Sequence, residues 1–268
     1  MDEAYGTIGE LVRMHARNQP QRPALMDLTQ PDGVMSYGAL DALMDRVAAS
    51  LQAAGLAQGD SVAICAQSST AYAAVFLGAL RAGVVVAPLA PSSTPQSLAR
   101  MLADAQARLF FVDESVAEVI GAAPAAGPAR IALDGSAVGQ PLSQWLAPEG
   151  AAPQPVQIPP EAPFNIIYSS GTTGEPKGIV QPHGMRWVHM QRCRAYGYTN
   201  TGVTVLSTPP YSNTTLVIFF PTLAFGGLVV LMPRFSVTGY LAACEKYRAT
   251  HTMLVPVQYQ RLMASPQF

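Results

Sequence analysis

The sequence predicts an α/β fold of layered, doubly wound sheets with flanking helices. Short apolar runs that suit buried strands alternate with longer stretches whose apolar residues recur at helical spacing. Between residues 61 and 112 the order is strand, helix, strand, helix, strand, which is typical of a parallel sheet with right-handed crossovers. The chain has 268 residues and 49% hydrophobic residues, so it can bury a large core.

Caps and apolar periodicity predict the first elements. Thr7 and Glu10 have the Ser/Thr-x-x-Glu spacing of a capping box, which predicts a helix that runs to about Ala16. Residues 35–37 form a short predicted strand. A second helix follows from one apolar stripe and ends at Gly55, since glycine suits the left-handed position after a helix. The stripe consists of Leu40, Leu43, Met44, Val47 and Leu51.

The central core is predicted from three strands and the two helices between them. The strands are residues 61–66, 84–86 and 109–112. One helix begins at Thr70 and is closed by Gly83. The other is capped by Thr94 and begins at Pro95, a residue that fits the first helical turn.

The later part of the chain is predicted to be less regular at first. Residues 121–163 are rich in Ala, Pro and Gly, and only residues 131–133 resemble a strand, so we expect an irregular surface connection. Pro221 and the glycines at 226–227 interrupt the apolar run 216–232, which favours a buried helix and strand over a membrane span. The predicted elements are helix 184–196, strand 203–207, helix 214–224, strand 228–232, helix 238–248, strand 251–255 and helix 257–263.

Charge and cysteine content limit the functional classes. Charged residues make up 12% of the chain, the net charge is −1 and no basic run occurs, so a nucleic-acid partner is not expected. Cys65, Cys193 and Cys244 are odd in number and widely spaced, which favours a reducing compartment over a disulfide framework. The acidic N-terminus lacks a secretory apolar segment, so we expect a cytoplasmic protein. The four histidines show no metal-ligand spacing, and no metal site is predicted.

The most informative stretch is residues 165–183. Its three glycines, Gly171, Gly174 and Gly178, can take positive φ and let backbone N–H groups approach an anion closely. Its hydroxyl donors are Ser169, Ser170, Thr172 and Thr173. Lys177 adds a compact positive charge on a flexible stem. The alternative is an ordinary surface loop, since these residue types dominate turns. The specific order Ser-Ser-Gly-Thr-Thr-Gly-x-Pro-Lys-Gly favours a phosphate-binding loop.

This loop differs from the P-loop of nucleoside triphosphatases. A P-loop has Gly before its Lys and Ser or Thr after it, and it opens a helix. Here Pro176 precedes Lys177, and Gly178 follows it. Because apolar, β-prone residues flank the loop on both sides, we expect a strand-loop-strand hairpin.

Residues 168–178 resemble the signature loop of the adenylate-forming superfamily, which includes acyl-CoA and aryl-CoA synthetases, peptide-synthetase adenylation domains and luciferases. Residues 35–40, 59–62 and 80–89 resemble further segments of that family, in the same order. The resemblance implies that residues 1–268 are the N-terminal part of its AMP-binding (adenylation) domain. It also implies that the rest of this domain and the small C-terminal domain are absent.

The resemblance implies the activity of an AMP-forming acyl-CoA synthetase, with ATP, Mg²⁺ and CoA as cofactors and a small carboxylic acid as substrate. Lys177 is implied to be catalytic. The implied phosphate-binding residues are Ser169, Ser170, Gly171, Thr172, Thr173, Gly174 and Lys177. Tyr211, Ser212 and Asn213 are implied to contact the acid, with Ser212 where the family usually has His; the alternative is that Tyr211 and Asn213 are loop and helix-cap residues. His183 is expected to play a supporting structural role.

Several alternatives remain open at this point. Arg186, Arg192 and Arg194 could bind the phosphates of CoA, but a solvated helix face is favoured. About half of the usual enzyme is absent by this resemblance, so the chain alone is expected to be inactive and to self-associate through exposed apolar faces. The rival functions are a non-catalytic nucleotide- or acyl-binding module that kept the loop, and an unrelated NTPase that releases phosphate steadily.

Overall fold

The computed structural model describes residues 4–30, 32–121, 127–170 and 176–268. The chain divides into two compact units. Unit 1 comprises the residues up to Asp41, Ser68–Thr70 and Trp187–Phe268, and unit 2 comprises Ala42–Gln67 and Ala71–Arg186. Each unit is built on a sheet of its own.

The secondary structure alternates between strands and helices along most of the chain. The strands are β1 (Pro23–Asp27), β2 (Val34–Ser36), β3 (Ser61–Cys65), β4 (Val85–Pro88), β5 (Ala107–Val112), β6 (Ala129–Ala132), β7 (Gln140–Pro141), β8 (Pro163–Ser170), β9 (Pro176–Pro182), β10 (Val203–Leu206), β11 (Leu228–Leu231) and β12 (His251–Thr252). The helices are α1 (Ile8–Asn18), α2 (Tyr37–Ala53), α3 (Thr70–Arg81), α4 (Pro95–Asp104), α5 (Ala117–Ile120), α6 (Leu142–Trp145), α7 (His183–Arg192), α8 (Asn213–Ala224), α9 (Val237–Tyr247) and α10 (Pro256–Met263).

The sheet of unit 1 has the strand order β12-β10-β11-β1-β2, and every pair in it is parallel except β1–β2. The predicted capping box of α1 is present: Thr7 Oγ1 accepts from the Glu10 N–H at 3.2 Å, and Glu10 Oε2 accepts from the Thr7 N–H at 2.7 Å. The apolar run 216–232 forms the buried helix α8 and strand β11, as expected. None of the helices in the described part of the chain has the length and hydropathy that crossing a membrane requires.

The sheet of unit 2 has the strand order β7-β6-β5-β3-β4-β8-β9. Its pairs are parallel up to β8, and only β8–β9 is antiparallel. The parallel strands β3, β4 and β5 and the helices α3 and α4 confirm the predicted core. Every residue of β3 and β4 is buried, as expected for strands covered on both faces. Helix α3 approaches α2 so closely that a Cβ on Gly78 would lie 2.6 Å from Val47 Cβ, which explains the glycine.

The structure corrects the sequence prediction in two places. Strand β1 was not predicted. The segment 121–163 contains more regular structure than expected: β6 covers two of the three strand-like residues 131–133, and β7 and the short helix α6 were not predicted. In α9 Tyr240 and Ala243 are buried, and Leu241, Cys244 and Tyr247 pack against the same core cluster as partly buried residues.

Candidate functional site

The predicted strand-loop-strand hairpin is formed by β8 and β9. The two strands pair in antiparallel register from Pro163 opposite Pro182 to Ser170 opposite Pro176. The loop between them, residues 171–175, lies outside the described residues, and it contains four of the predicted phosphate ligands: Gly171, Thr172, Thr173 and Gly174. The described part of the site is therefore the pair of strand ends that carry this loop.

Ser169 and Lys177 are brought together at the mouth of the hairpin. They are directly opposite each other in the register, and both are exposed. Opposite residues in an antiparallel pair project from the same face with Cβ atoms about 5 Å apart. A hydroxyl and an ammonium group thus share one solvent-facing surface, which is the chemistry that a phosphate group requires. The backbone of Ser170 continues the strand one position further towards the loop.

Gly178 has a different role from the one predicted. It lies within β9 and does not adopt the positive φ expected of a phosphate-cradling glycine. A Cβ at this position would be 2.9 Å from Ile166 Cγ2, 3.0 Å from Asp104 Oδ2 and 3.2 Å from Tyr168 Cε1. The glycine is required because the neighbouring strand and helix α4 approach the backbone closely.

A largely buried polar cluster lies at the end of the hairpin that is far from the loop. It consists of Asn165 at the start of β8, Gln181 at the end of β9, and His183 and Arg186 in the first turn of α7. The Arg186 guanidinium donates to Gln181 Oε1 and, at 3.5 Å, to Asn165 Oδ1. It also lies 5.7 Å from the ring centroid of Phe164. The prediction that Arg186 lies on a solvated face is wrong, because its side chain is 1% exposed; Arg192 and Arg194 are exposed.

Burial shifts the pKa values of this cluster. It lowers the pKa of the Arg186 guanidinium to about 10, which leaves the group charged at neutral pH. It lowers the pKa of His183 to about 4, because the ring is 3% exposed and packs edge-on against Phe164. At neutral pH His183 is therefore a neutral packing residue, in keeping with the structural role expected of it.

Tyr211, Ser212 and Asn213 lie in unit 1, between β10 and α8. Ser212 is the N-cap of α8, and its Oγ accepts from the Thr214 N–H at 3.3 Å. Tyr211 and Ser212 are half-buried, whereas Asn213, the first residue of the helix, is exposed. The cap of α8 is therefore Ser212, one position before Asn213, which the sequence offered as the alternative cap residue. Contact with an acid remains a prediction for all three residues.

Sequence reasoning missed a polar cluster that follows β10. Thr215 Oγ1 donates to Thr208 Oγ1 at 2.7 Å, and Gln258 Nε2 donates to the Ser207 carbonyl at 3.1 Å. The Ser207 hydroxyl is buried and has no hydrogen-bond partner among the described residues. No local signal reveals this cluster, because Gln258 comes from α10, far along the chain.

The cysteines are unpaired by disulfides, and the acidic residues form no metal-binding group within the described ranges. Cys65, Cys193 and Cys244 are free thiols, and burial raises the pKa of each. Across residues 4–30, 32–121, 127–170 and 176–268, no group of three His, Cys, Asp or Glu side chains is placed to hold a metal ion.

Comparison with known proteins gives a consistent result. Residues 12–268 match the family described as AMP-binding enzyme. The chain is 28% identical to an indoleacetate–CoA ligase from Aromatoleum aromaticum, over 97% of this chain and 52% of that protein. It is 32% identical to the fatty acid–[acyl-carrier-protein] ligase ScoC from Streptomyces coeruleorubidus, over 66% of this chain and 33% of that protein. The chain thus spans about half of the first relative and a third of the second.

The fold is also found in solved structures. The inhibitor-bound N-terminal domain of FACL13 from Mycobacterium tuberculosis superposes with a TM-score of 0.85 at 24% identity. The superposition covers 98% of this chain and 66% of that one. The two parallel-rich sheets with flanking helices are therefore those of the N-terminal domain of adenylate-forming enzymes, as the sequence predicted.

Proposed function

The chain belongs to the AMP-binding enzyme family, and on that premise we propose that it supplies the phosphate-binding part of an ATP-dependent acyl-CoA synthetase. The activity is the conversion of a carboxylic acid to an acyl-AMP, followed by transfer of the acyl group to CoA. The observation that carries the proposal is the exposed pair Ser169 and Lys177, which face each other at the mouth of the β8–β9 hairpin.

In the first step a carboxylate oxygen of the acid attacks the α-phosphorus of ATP. A new bond forms between these atoms, and the bond from the α-phosphorus to the bridging oxygen breaks. Pyrophosphate leaves with the electron pair. The Lys177 ammonium and the Ser169 hydroxyl hold the β- and γ-phosphates and stabilise the charge that develops on the leaving group. Mg²⁺ bound to the nucleotide would neutralise further phosphate charge.

In the second step the sulfur of CoA attacks the acyl carbonyl carbon and loses its proton to solvent. A thioester bond forms, the bond from the acyl carbon to the phosphate oxygen breaks, and AMP leaves with the electron pair. The names of the relatives include a CoA ligase and an acyl-carrier-protein ligase, and we propose CoA as the acceptor here. Tyr211, Ser212 and Asn213 are proposed to face the acid. A cytoplasmic location fits substrates of this kind.

A second candidate function requires only the binding chemistry of the exposed Ser169 and Lys177 pair. It is a non-catalytic module that binds a nucleotide or acyl group and keeps the hairpin. The two functions differ in a measurable way, because only the synthetase reverses the first step.

The test is ATP–pyrophosphate exchange with a panel of carboxylic acids and Mg²⁺, measured on the protein in which residues 1–268 occur. We expect acid-dependent exchange, and we expect Lys177→Ala to lower its rate at least about tenfold, because the ammonium group that stabilises the charge on the leaving pyrophosphate is lost. Lys246→Ala removes the only other lysine in the sequence, an exposed residue on α9, and serves as the matched control.

The outcomes separate the candidates. If the protein binds ATP but shows no exchange with any acid of the panel, the non-catalytic module is favoured. Exchange that is equally fast with Lys177→Ala would overturn the assignment of Lys177. Steady release of inorganic phosphate without exchange would indicate an NTPase instead.

A further inference from the structure

The hydroxyl of Tyr168 ties the hairpin to helix α4. Tyr168 Oη lies 2.6 Å from Asp104 Oδ2 and 3.1 Å from the carbonyl oxygen of Met101, both near the C-terminal end of α4. An O–H group that donates to a carboxylate forms a charge-assisted hydrogen bond, which is about twice as strong as a neutral one. The Tyr168 ring packs against the core cluster of unit 2 that includes Leu98 and Met101.

The second strand of the hairpin meets the same carboxylate. Gly178 is directly opposite Tyr168 in the register. Its backbone approaches Asp104 so closely that a Cβ would lie 3.0 Å from Oδ2. Both β8 and β9 are therefore held against Asp104, one position before the pair formed by Ser169 and Lys177.

Asp104 occupies an unfavourable position for an acidic residue. It is the last residue of α4, where the partial negative charge of the helix C-terminus disfavours a carboxylate. The side chain is exposed, so a neutral or basic residue could also occupy this position. Local rules of this kind are broken most often where a residue has a functional role. The bond from Tyr168 is the compensating contact that the structure shows.

We propose that Tyr168 and Asp104 are positioning residues for pyrophosphate binding at the mouth of the hairpin. Their hydrogen bond fixes the paired strands (residues 165–170 of β8 and 176–182 of β9, called the stem) against α4. Side chains alternate along a strand, so the Ser169 and Lys177 side chains project from the face opposite to α4, and their location depends on the placement of the stem. The inference rests on the proposed function, because it assigns the two residues a part in the binding of the leaving group by that hairpin.

The test measures the affinity for inorganic pyrophosphate by isothermal titration calorimetry on the protein in which these residues occur. Tyr168→Phe removes the donor, and Asp104→Ala removes the acceptor. We expect each to weaken pyrophosphate binding about three- to tenfold. Asp104→Asn keeps a neutral acceptor and should weaken binding less. The double variant Tyr168→Phe/Asp104→Ala should bind no more weakly than either single variant, because both remove the same bond.

Two controls and a second measurement make the result specific. Tyr196→Phe and Asp32→Asn make the same chemical changes at exposed positions and should leave the affinity unchanged. Amide hydrogen exchange should become faster in residues 165–170 and 176–182 of Tyr168→Phe, and remain unchanged elsewhere, which a general loss of folding would not produce. If Tyr168→Phe does not fold, Asp104→Asn carries the test.

The outcomes distinguish this inference from the proposed function. Unchanged affinity in the single variants, or losses that simply add in the double variant, would overturn the positioning role while the proposed function stands. Failure of the unsubstituted protein to bind pyrophosphate would overturn the proposed function and this inference with it. Unchanged hydrogen exchange in the stem would overturn the anchoring role even if binding were weakened.

Discussion

At the residue scale, the burial of His183 makes stability depend on pH. Its ring centroid lies 4.8 Å from that of Phe164, and its Nε2 has no hydrogen-bond partner among the described residues. Burial lowers its pKa from 6.5 to about 4. Between these pH values the unfolded chain binds a proton at this imidazole and the folded protein does not.

We therefore expect the free energy of unfolding to fall as the pH decreases from 6.5 to about 4, and to lose no more through this group below that value. The loss amounts to about 3 kcal/mol for a shift of this size. Urea unfolding at a series of pH values measures it. His183→Gln, which does not titrate, should flatten the dependence.

A second histidine provides a comparison. The His15 Nε2–H group donates to the Ala224 carbonyl at 2.9 Å, and burial, the largest cause, lowers the pKa of His15 as well. His15→Gln should reduce the pH dependence of the free energy of unfolding over part of the same pH range. The double variant should reduce it more than either single variant. A slope that is equally steep with and without His183 would contradict the assignment.

Single residues also show where sequence reasoning fails. The prediction for Arg186 was a solvated helix face, which is where most arginines lie. Its partners, Gln181, Asn165 and Phe164, come from β8 and β9, and only the folded hairpin brings them to α7. The motif predicted an anion-binding role for Gly178. The actual reason for the glycine is the close approach of Asp104, a residue of α4 that no local pattern links to the loop.

At the element scale, the N-terminus of α8 gives Ser212 a structural role. The Ser212 hydroxyl accepts from the Thr214 N–H and satisfies one of the free donors at the start of the helix. We expect Ser212→Ala to lower the free energy of unfolding by about 1 kcal/mol, and Ser212→Asp to retain most of the stability. Thermal and urea unfolding measure the difference.

Ser143→Ala, at an exposed position on α6, is the control for this substitution. If Ser212→Ala changes the preference for the carboxylic acid and leaves the stability unaltered, the residue acts in substrate contact rather than as a cap. If stability falls and the preference is unaltered, the capping role alone accounts for it.

Elements with a strong periodic or capping signal were predictable, and those without one were not. The capping box of α1 and the proline at the start of α4 are local signals, and both are confirmed. Strand β1 has the sequence Pro-Ala-Leu-Met-Asp, which lacks β-branched and aromatic residues, and it forms because β11 and β2 pair with it. Likewise β7 contains only Gln140 and Pro141 and depends on its neighbour β6.

At the scale of the whole molecule, exposed apolar side chains predict self-association. Helix α10 and the residues after it expose Val257, Tyr259, Met263 and Phe268, whose exposed fractions run from 46% to 76%. Clusters of apolar side chains on a surface favour association. We expect the apparent mass of the 268-residue chain in multi-angle light scattering to rise with concentration.

Met263→Glu should suppress this rise because it places a charge in the cluster. Met14→Glu makes the same change at an exposed position on α1 and serves as the control. A mass that stays monomeric at every concentration would contradict the prediction, and equal suppression by both variants would show that charge alone is responsible.

The attachment of β8 to the rest of its sheet has a mechanical consequence. Strand β8 is in register with β4 only at Asn165, opposite Val86, and beyond that point it pairs with β9 alone. The ribbon from Asn165 to Ser170 is about 17 Å long, so tilting it by about 10° about its base would carry its tip about 3 Å, roughly the length of a hydrogen bond. A small rotation at the base is thus enough to make or break a contact at the tip. The hydrogen bond from Tyr168 to Asp104 opposes such a rotation at a point that lies closer to the tip than to the base.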